Sequence, residues 1–193
     1  MARPVVGFLR LPVACWRSEA SFSACGQYRW ELQRVVSTPA HDEHRRVLLF
    51  VGLNPSRADA GRDDPTLRRL QGFARAWGHH QLVVLNLFAR ISPAPVVLRR
   101  SADPVGKDTD RVLTRWFQGW AAHPDWDLWL GWGAAGDLHQ RDQHVVEMLK
   151  QSLLHRRAGT APLAIGTTRS GQPRHPLYVS SGSSPTPWTC TVR

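Results

Sequence analysis

Lysine is almost missing from this sequence: Lys107 and Lys150 are the only two, so 23 of the 25 basic residues are arginine. An amine nucleophile for Schiff-base chemistry therefore has few candidates. Cysteine is equally sparse. Cys15, Cys25 and Cys190 form no CxxC pair and are too few for a four-thiolate cluster, which argues against structural zinc and iron–sulfur centres. The nine histidines do not make up the shortfall, because His79 and His80 are adjacent after a glycine and neither HExxH nor HxE…CxxC occurs. No metal and no cofactor is expected. No apolar run approaches the roughly eighteen residues of a membrane span. Pro4, Arg10 and Pro12 interrupt the mildly basic, apolar start "MARPVVGFLRLPVACW" before it can form a signal-peptide core. A cytoplasmic address follows as an expectation.

What the chain has in excess is positive charge. The formal net charge is +10 and the isoelectric point is near 11.1, a balance that favours polyanions through phosphate contacts and counterion release. DNA or RNA becomes the leading partner, with no membrane and no obligate protein partner indicated. A GC-rich genome would also enrich arginine, so charge alone does not decide. At 193 residues the chain suits one domain with a proper core. That core is expected over about 27–180, followed by a Ser- and Pro-rich, loosely docked tail at 181–193.

Alternation of apolar and polar residues in "QYRWELQRVV" (27–36) predicts a half-buried strand near a sheet edge. "RVLLFVG" (46–52) is a continuous apolar run ending in glycine and predicts a strand buried on both faces. "DPTLRRLQGFARAWG" then sets Leu67, Leu70, Phe73, Ala74 and Trp77 on one helical face between Pro65 and Gly78. The pattern recurs. "QLVVLNLF" (81–88), "DLWLGWG" and "PLAIGTT" supply further strands, and "DTDRVLTRWFQGWAA" and "RDQHVVEMLKQSLLHRR" supply helices. Such alternation implies parallel strands with right-handed crossovers. The predicted fold is a three-layer α/β/α sandwich around a mainly parallel four-stranded sheet, with an N-terminal edge strand or hairpin.

In such sheets ligands bind beyond the carboxyl ends of the strands. The four loops at that end carry Asn54, Ser56, Asp63, Asp64, Asn86, Arg174, His175 and Tyr178, which are thus expected to share one crevice. Each has a structural explanation as well. Asn54 before Pro55 can start a turn, and Asn86 inside "VVLNLF" can tie two loops together, since a buried amide requires a partner. Asp63 and Asp64 can cap the helix that begins near Pro65. His175 before Pro176 can be an ordinary surface histidine. The small residues of "GWGAAG" can serve close helix packing, and they form neither GxGxxG nor a Walker motif.

Taken in order, "GLNPS", "VLNLF" and "RHPLY" resemble the signature segments of the uracil-DNA glycosylase superfamily. The fuller series "LNPSRAD", "DDPTLRR", "NLFA", "DPVGKDTD", "GWG" and "PRHPLY" is similar to an uncharacterised bacterial family associated with that fold. The resemblance implies that Asn54 holds the attacking water, Asn86 reads the edge of a flipped pyrimidine, and His175 hydrogen-bonds the departing base. It brings Leu53, Ser56 and Phe88 to the base pocket. Arg57, Arg62, Arg68, Arg90 and Arg174 become candidates for DNA contact, with Leu177 or Tyr178 as the wedge. "HPLY" lacks the serine that pinches a phosphate in the superfamily's "HPSPLS".

Hydrolysis of a glycosidic bond requires donors aimed at the leaving base and an oriented water near the sugar. Asparagine is no strong base, so either water positioning dominates or Asp63 or Asp64 assists. Ser56 stands where uracil-specific members of the superfamily carry a tyrosine that closes the pocket against substituents on pyrimidine carbon 5. The expected activity is accordingly that of a monofunctional glycosylase. It would excise a modified pyrimidine, such as a hydroxymethylated or glucosylated cytosine of phage DNA, in phage defence. Arg57, Asp59, Arg62 or Asp63 would meet a sugar on that base. The alternatives are a uracil or mismatch repair glycosylase and a catalytically inert nucleic-acid-binding module.

Overall fold

Strand β3 (Val47–Gly52) is buried at every residue, as its uninterrupted apolar run predicts. It belongs to a computed structural model that describes residues 18–37, 45–56, 61, 63–92 and 95–189. On one side β3 pairs in parallel with β4 (Gln81–Asn86), and on the other with β5 (Trp126–Leu130). A short β6 (Leu163–Ala164) extends the parallel set beside β5. These are the four strands expected from the sequence, and their carboxyl ends lie at one end of the sheet.

The sheet is wider than expected. Among the described residues three antiparallel strands, β1 (Glu19–Phe22), β2 (Arg29–Val35) and β7 (Thr186–Pro187), bring it to seven, in the order β1-β2-β4-β3-β5-β6-β7. The N-terminal pair is a hairpin of β1 and β2, with β2 also pairing with β4. The segment expected near the edge is thus β2, one strand in, and the N-terminal hairpin forms the edge. At the other edge β7 pairs with β6. The tail expected to be loosely docked instead contributes a strand, and the Trp188 ring packs edge-on against Trp132 at 5.9 Å between centroids. "PLAIGTT" gives only two strand residues, because Pro162 precedes them and Gly166 turns the chain with φ of 66°.

Helices cover both faces of the sheet. On one face α1 (Pro65–Ala76) buries Leu67, Leu70, Phe73 and Ala74 against Leu48, Phe50, Leu82 and Val84. On the other, α3 (Thr109–Ala122) and α4 (Arg141–Leu153) pack on Val47, Leu49, Val51, Val83 and Leu85. Trp116, Phe117 and Trp120 of α3 are fully buried there, on the stripe read from the sequence. The Pro-rich loop after β4 contains a short helix, α2 (Pro95–Arg99). Trp77 closes α1 as its C-cap and joins an aromatic cluster with Phe50, Phe73 and Trp129 at centroid spacings of 5.0 to 5.2 Å. Such aromatic contacts hold rings in fixed orientations, so Phe50 is firmly backed from below.

Candidate functional site

At the carboxyl end of the parallel strands lies a cavity of about 470 Å³, a size suited to a ligand held on several sides. Its wall includes Leu53, Asn54, Ser56, Asp64, Asn86 and His175. These arrive from the loop after β3, the end of β4 and the loop after β6. Register explains the first meeting: Gly52 of β3 stands level with Asn86 of β4. The two following loops then run together, with Leu87 N–H donating to Gly52 O and Phe88 N–H to Leu53 O, each at 2.9 Å.

The floor is made by Phe50, and glycine makes room for it. A Cβ at Gly131 would stand 2.6 Å from the Phe50 ring, and one at Gly52 would stand 3.0 Å from it and 3.2 Å from Asn86 Oδ1. Gly133 has φ of 77°, a left-handed conformation favoured by glycine, and its N–H donates to Pro173 O at 2.8 Å. That bond draws "GWGAAG" against the His175 loop, so Trp132, Gly133, Ala134 and Ala135 all line the cavity. The small residues read as packing aids thus form one wall.

Each polar group has a definite orientation. Asn54 donates both amide hydrogens to backbone carbonyls, those of Pro55 at 3.0 Å and Ser92 at 2.9 Å. This fixes Nδ2 on the carbonyl side and leaves Oδ1 as an acceptor without a partner among the described residues. Asn86 is 4% exposed, and its Nδ2 is enclosed with no partner among the described residues. An orphaned amide next to a cavity calls for a ligand or a water. His175 accepts the Leu177 N–H on Nδ1 at 3.3 Å, which assigns the proton of the neutral ring to Nε2. Burial holds the His175 pKa below its ordinary value, and the nearby Asp64 carboxylate only partly opposes that.

The two aspartates separate. Asp64 caps α1, accepting Leu67 N–H on Oδ1 at 2.7 Å, and its Oδ2 accepts the Ser56 hydroxyl. Its position in the cavity wall and its capping role coexist. Asp63 does not line the cavity. Its carboxylate is held by Arg34 at 3.0 Å and by Gln71 at 2.5 Å, and its carbonyl accepts from Arg68. The structure therefore ties Asp63 to the packing of α1 against β2 and brings no side chain of it to the site.

Phe88 is likewise absent from the pocket. It is fully buried in the core on the α3 and α4 side, because its amide follows Leu53 O while its ring turns beneath the loop. Arg68, Arg90 and Arg174 do not line the cavity. Arg90 reaches Gln27 at 2.6 Å and lies over the Tyr28 ring, and Arg174 donates to Thr167 O. Arg57, Arg62 and Asp59 lie outside the described residues. Leu177 and Tyr178, 46% and 79% exposed, stand at the cavity rim. Arg69 of α1 fastens their short turn by donating to Pro176 O and Val179 O.

One charged wall residue was not anticipated. Arg29 of β2 is 4% exposed and lines the cavity. Ser21 of β1 pairs with Glu31 and Phe22 with Arg29, so Trp30 is an extra residue, a β-bulge. Trp30 packs on the α3 and α4 side, and Glu31 points the same way, accepting from Arg115 and Trp116 of α3. Beyond the bulge, Arg29 emerges on the α1 side, where the cavity is. Burial pushes its pKa down to about 10, Asp64 resists that shift and Arg34 adds to it.

No curated protein and no solved structure matches the chain. A family model described as "Protein of unknown function (DUF1643)" matches residues 29–177, a span that begins at Arg29 and ends at the cavity rim. The chain belongs to the DUF1643 family.

Proposed function

We propose that the protein is a metal-independent, monofunctional DNA glycosylase. In this reading it flips out a pyrimidine bearing a substituent at carbon 5, such as hydroxymethylated or glucosylated cytosine of phage DNA, and leaves an abasic site. Phage defence is its use, and the fold is the three-layer sandwich of the uracil-DNA glycosylase superfamily that the motifs resemble. One observation carries the reading. Asn54, Asn86 and His175, from three distant segments, line one cavity at the carboxyl end of the parallel strands.

The reaction uses each group as it is oriented. A water accepted by Asn54 Oδ1 attacks the sugar carbon C1′. A C–O bond forms as the N-glycosidic bond breaks, and the bonding electron pair leaves with the base. The negative charge that develops on the base meets the Nε2–H of His175, while the proton lost by the water passes to solvent. Asn86 pairs with the base edge over Phe50. Ser56, with its hydroxyl turned to Asp64, leaves room beyond carbon 5. Leu177 and Tyr178 fill the place vacated in the duplex, and the excess of arginine supplies phosphate contacts.

The engagement of Asp63 by Arg34 and Gln71 favours a second reading, an inert nucleic-acid-binding module, because it takes one candidate base out of the chemistry. One assay separates the readings. Duplexes containing uracil, hydroxymethylcytosine or glucosylated hydroxymethylcytosine are incubated with protein, treated with alkali and examined for strand breaks. Breaks at the modified cytosines support the proposal. Breaks at uracil alone replace it with a repair glycosylase, and binding without breaks replaces it with the inert module.

A further inference from the structure

We infer that a second cavity, whose wall shares only Trp132 with the first, holds a guanine base. No step of the glycosylase reaction is needed for it. This cavity measures about 500 Å³, room for a base and its sugar. Its central member is Asp142, in the first turn of α4. Trp132 donates Nε1–H to Gln172 Oε1 at 2.6 Å, and Gln172 donates Nε2–H to Asp142 Oδ2 at 2.6 Å. That leaves Asp142 Oδ1. It is enclosed, in a residue 6% exposed, and accepts from no group among the described residues. The N-terminal end of α4 favours the negative charge but closes no hydrogen bond on this oxygen. A donor entering the cavity supplies the missing partner.

The chemistry of the wall selects that donor. An ionised carboxylate only accepts hydrogen bonds, so the edge that meets Asp142 must carry N–H groups with no acceptor between them. Adenine and cytosine set their amino group beside an unprotonated ring nitrogen, and uracil and thymine flank one N–H with two carbonyls. Guanine is the common base with two neighbouring donors, N1–H and N2–H. Its other edge carries the acceptors O6 and N7. Arg169, exposed in the same wall, offers donors alone and would repel a cationic ligand. The exposed side chains of Asp137, Gln143 and Ser170 complete the polar lining and suit sugar hydroxyls. Half-buried Trp188 gives the ring an indole to pack on, and its edge-on contact with Trp132 holds it there.

The test is calorimetric titration of the full chain with the 5′-monophosphates of guanosine, inosine and adenosine. The parent is expected to bind GMP about ten- to a hundredfold more tightly than AMP, with IMP, which lacks the 2-amino group, between them. In Asp142→Asn the side-chain oxygen stays with Gln172 and an N–H turns towards the base. GMP should then weaken about ten- to a hundredfold and AMP, whose edge offers an acceptor to that N–H, should gain. Arg169→Gln, at an exposed position, should lower GMP affinity severalfold and gives the answer should Asp142→Asn not fold. A parent that binds the three nucleotides alike, or a folded Asp142→Asn that keeps the full preference, overturns the inference. So does loss of GMP binding in Asn86→Ala with Asp142→Asn unaffected, which moves the base to the first cavity. Thymine strands with and without one guanine identify the source of the base. Tighter binding of the guanine strand assigns the site to nucleic acid, and strands bound alike beside selective GMP binding assign it to a free nucleotide.

Discussion

The backbone N–H of Leu177 donates to Nδ1 of His175 at 3.3 Å, so the neutral imidazole presents its only N–H from Nε2. Burial lowers the pKa of this ring, which keeps it neutral at pH values where a free histidine, with a pKa of about 6.5, begins to charge. Single-turnover base release should therefore remain flat down through about pH 6.5 and change only as pH falls through the lower folded value, where Nδ1 gains a proton and can no longer accept the Leu177 N–H that orients the ring. The same shift contributes stability that is complete above the unfolded pKa and is lost on acidification through the folded one. His175→Ala should reduce the rate about 10²- to 10³-fold in protein that circular dichroism at pH 8 shows to be folded. A rate unchanged in His175→Ala would remove this residue from the chemistry.

Asn54 is pinned by two carbonyls, and an aspartate in its place could not donate to either. Asn54→Asp should cost about 1–3 kcal/mol in urea unfolding at pH 7 and should lower activity, although a carboxylate is the stronger base. Asn54→Ala should abolish base release. Full activity in the aspartate variant would show that carbonyl anchoring of this side chain is dispensable.

Asp63 and Asp64 should fail in different ways. Asp63→Asn weakens the contacts to Arg34 and Gln71, so stability should fall by about 1–3 kcal/mol with the rate of the remaining folded protein unaltered. Asp64→Ala removes an N-cap, costing about 1 kcal/mol, and also frees Ser56 at the cavity wall, so substrate selectivity should change as well. Urea titration alongside base release at equal folded concentration distinguishes the two.

Gly131→Ala should act through the cavity floor. Its Cβ would meet the Phe50 ring at 2.6 Å, and the aromatic cluster beneath leaves that ring little freedom to retreat. Overpacking of about 1–3 kcal/mol is expected, together with weaker substrate binding, visible as a raised KM with a smaller effect on kcat.

Much of this architecture was legible because its elements are periodic and buried. The β3 and β4 runs, the α1 and α3 stripes and the Pro65 start all carry local signals, and the polar residues that follow the parallel strands meet where parallel strands must end. The failures have equally local causes. Phe88 reads as a pocket residue two positions after Asn86, but its ring is directed into the core. Asp63 and Asp64 are adjacent and chemically alike, and only three-dimensional proximity to Arg34 and Gln71 assigns one of them to packing. Arg29 was invisible because strict alternation in "RWELQRV" places it on the face of Glu31. A single extra residue at Trp30 reverses that assignment, and nothing in its side chain announces a bulge. The outer strand β7 was missed because two residues of Thr-Pro carry no pattern at all.

The cavity takes its first wall residue from Arg29 and its last support from Trp188 behind Trp132. A chain emerging from the ribosome thus has no finished pocket until Trp188 has been made, and the contacts that close the pocket are among the slowest kind to form. Fragments left by interrupted translation would carry the arginines and their appetite for nucleic acid, but not the cavity.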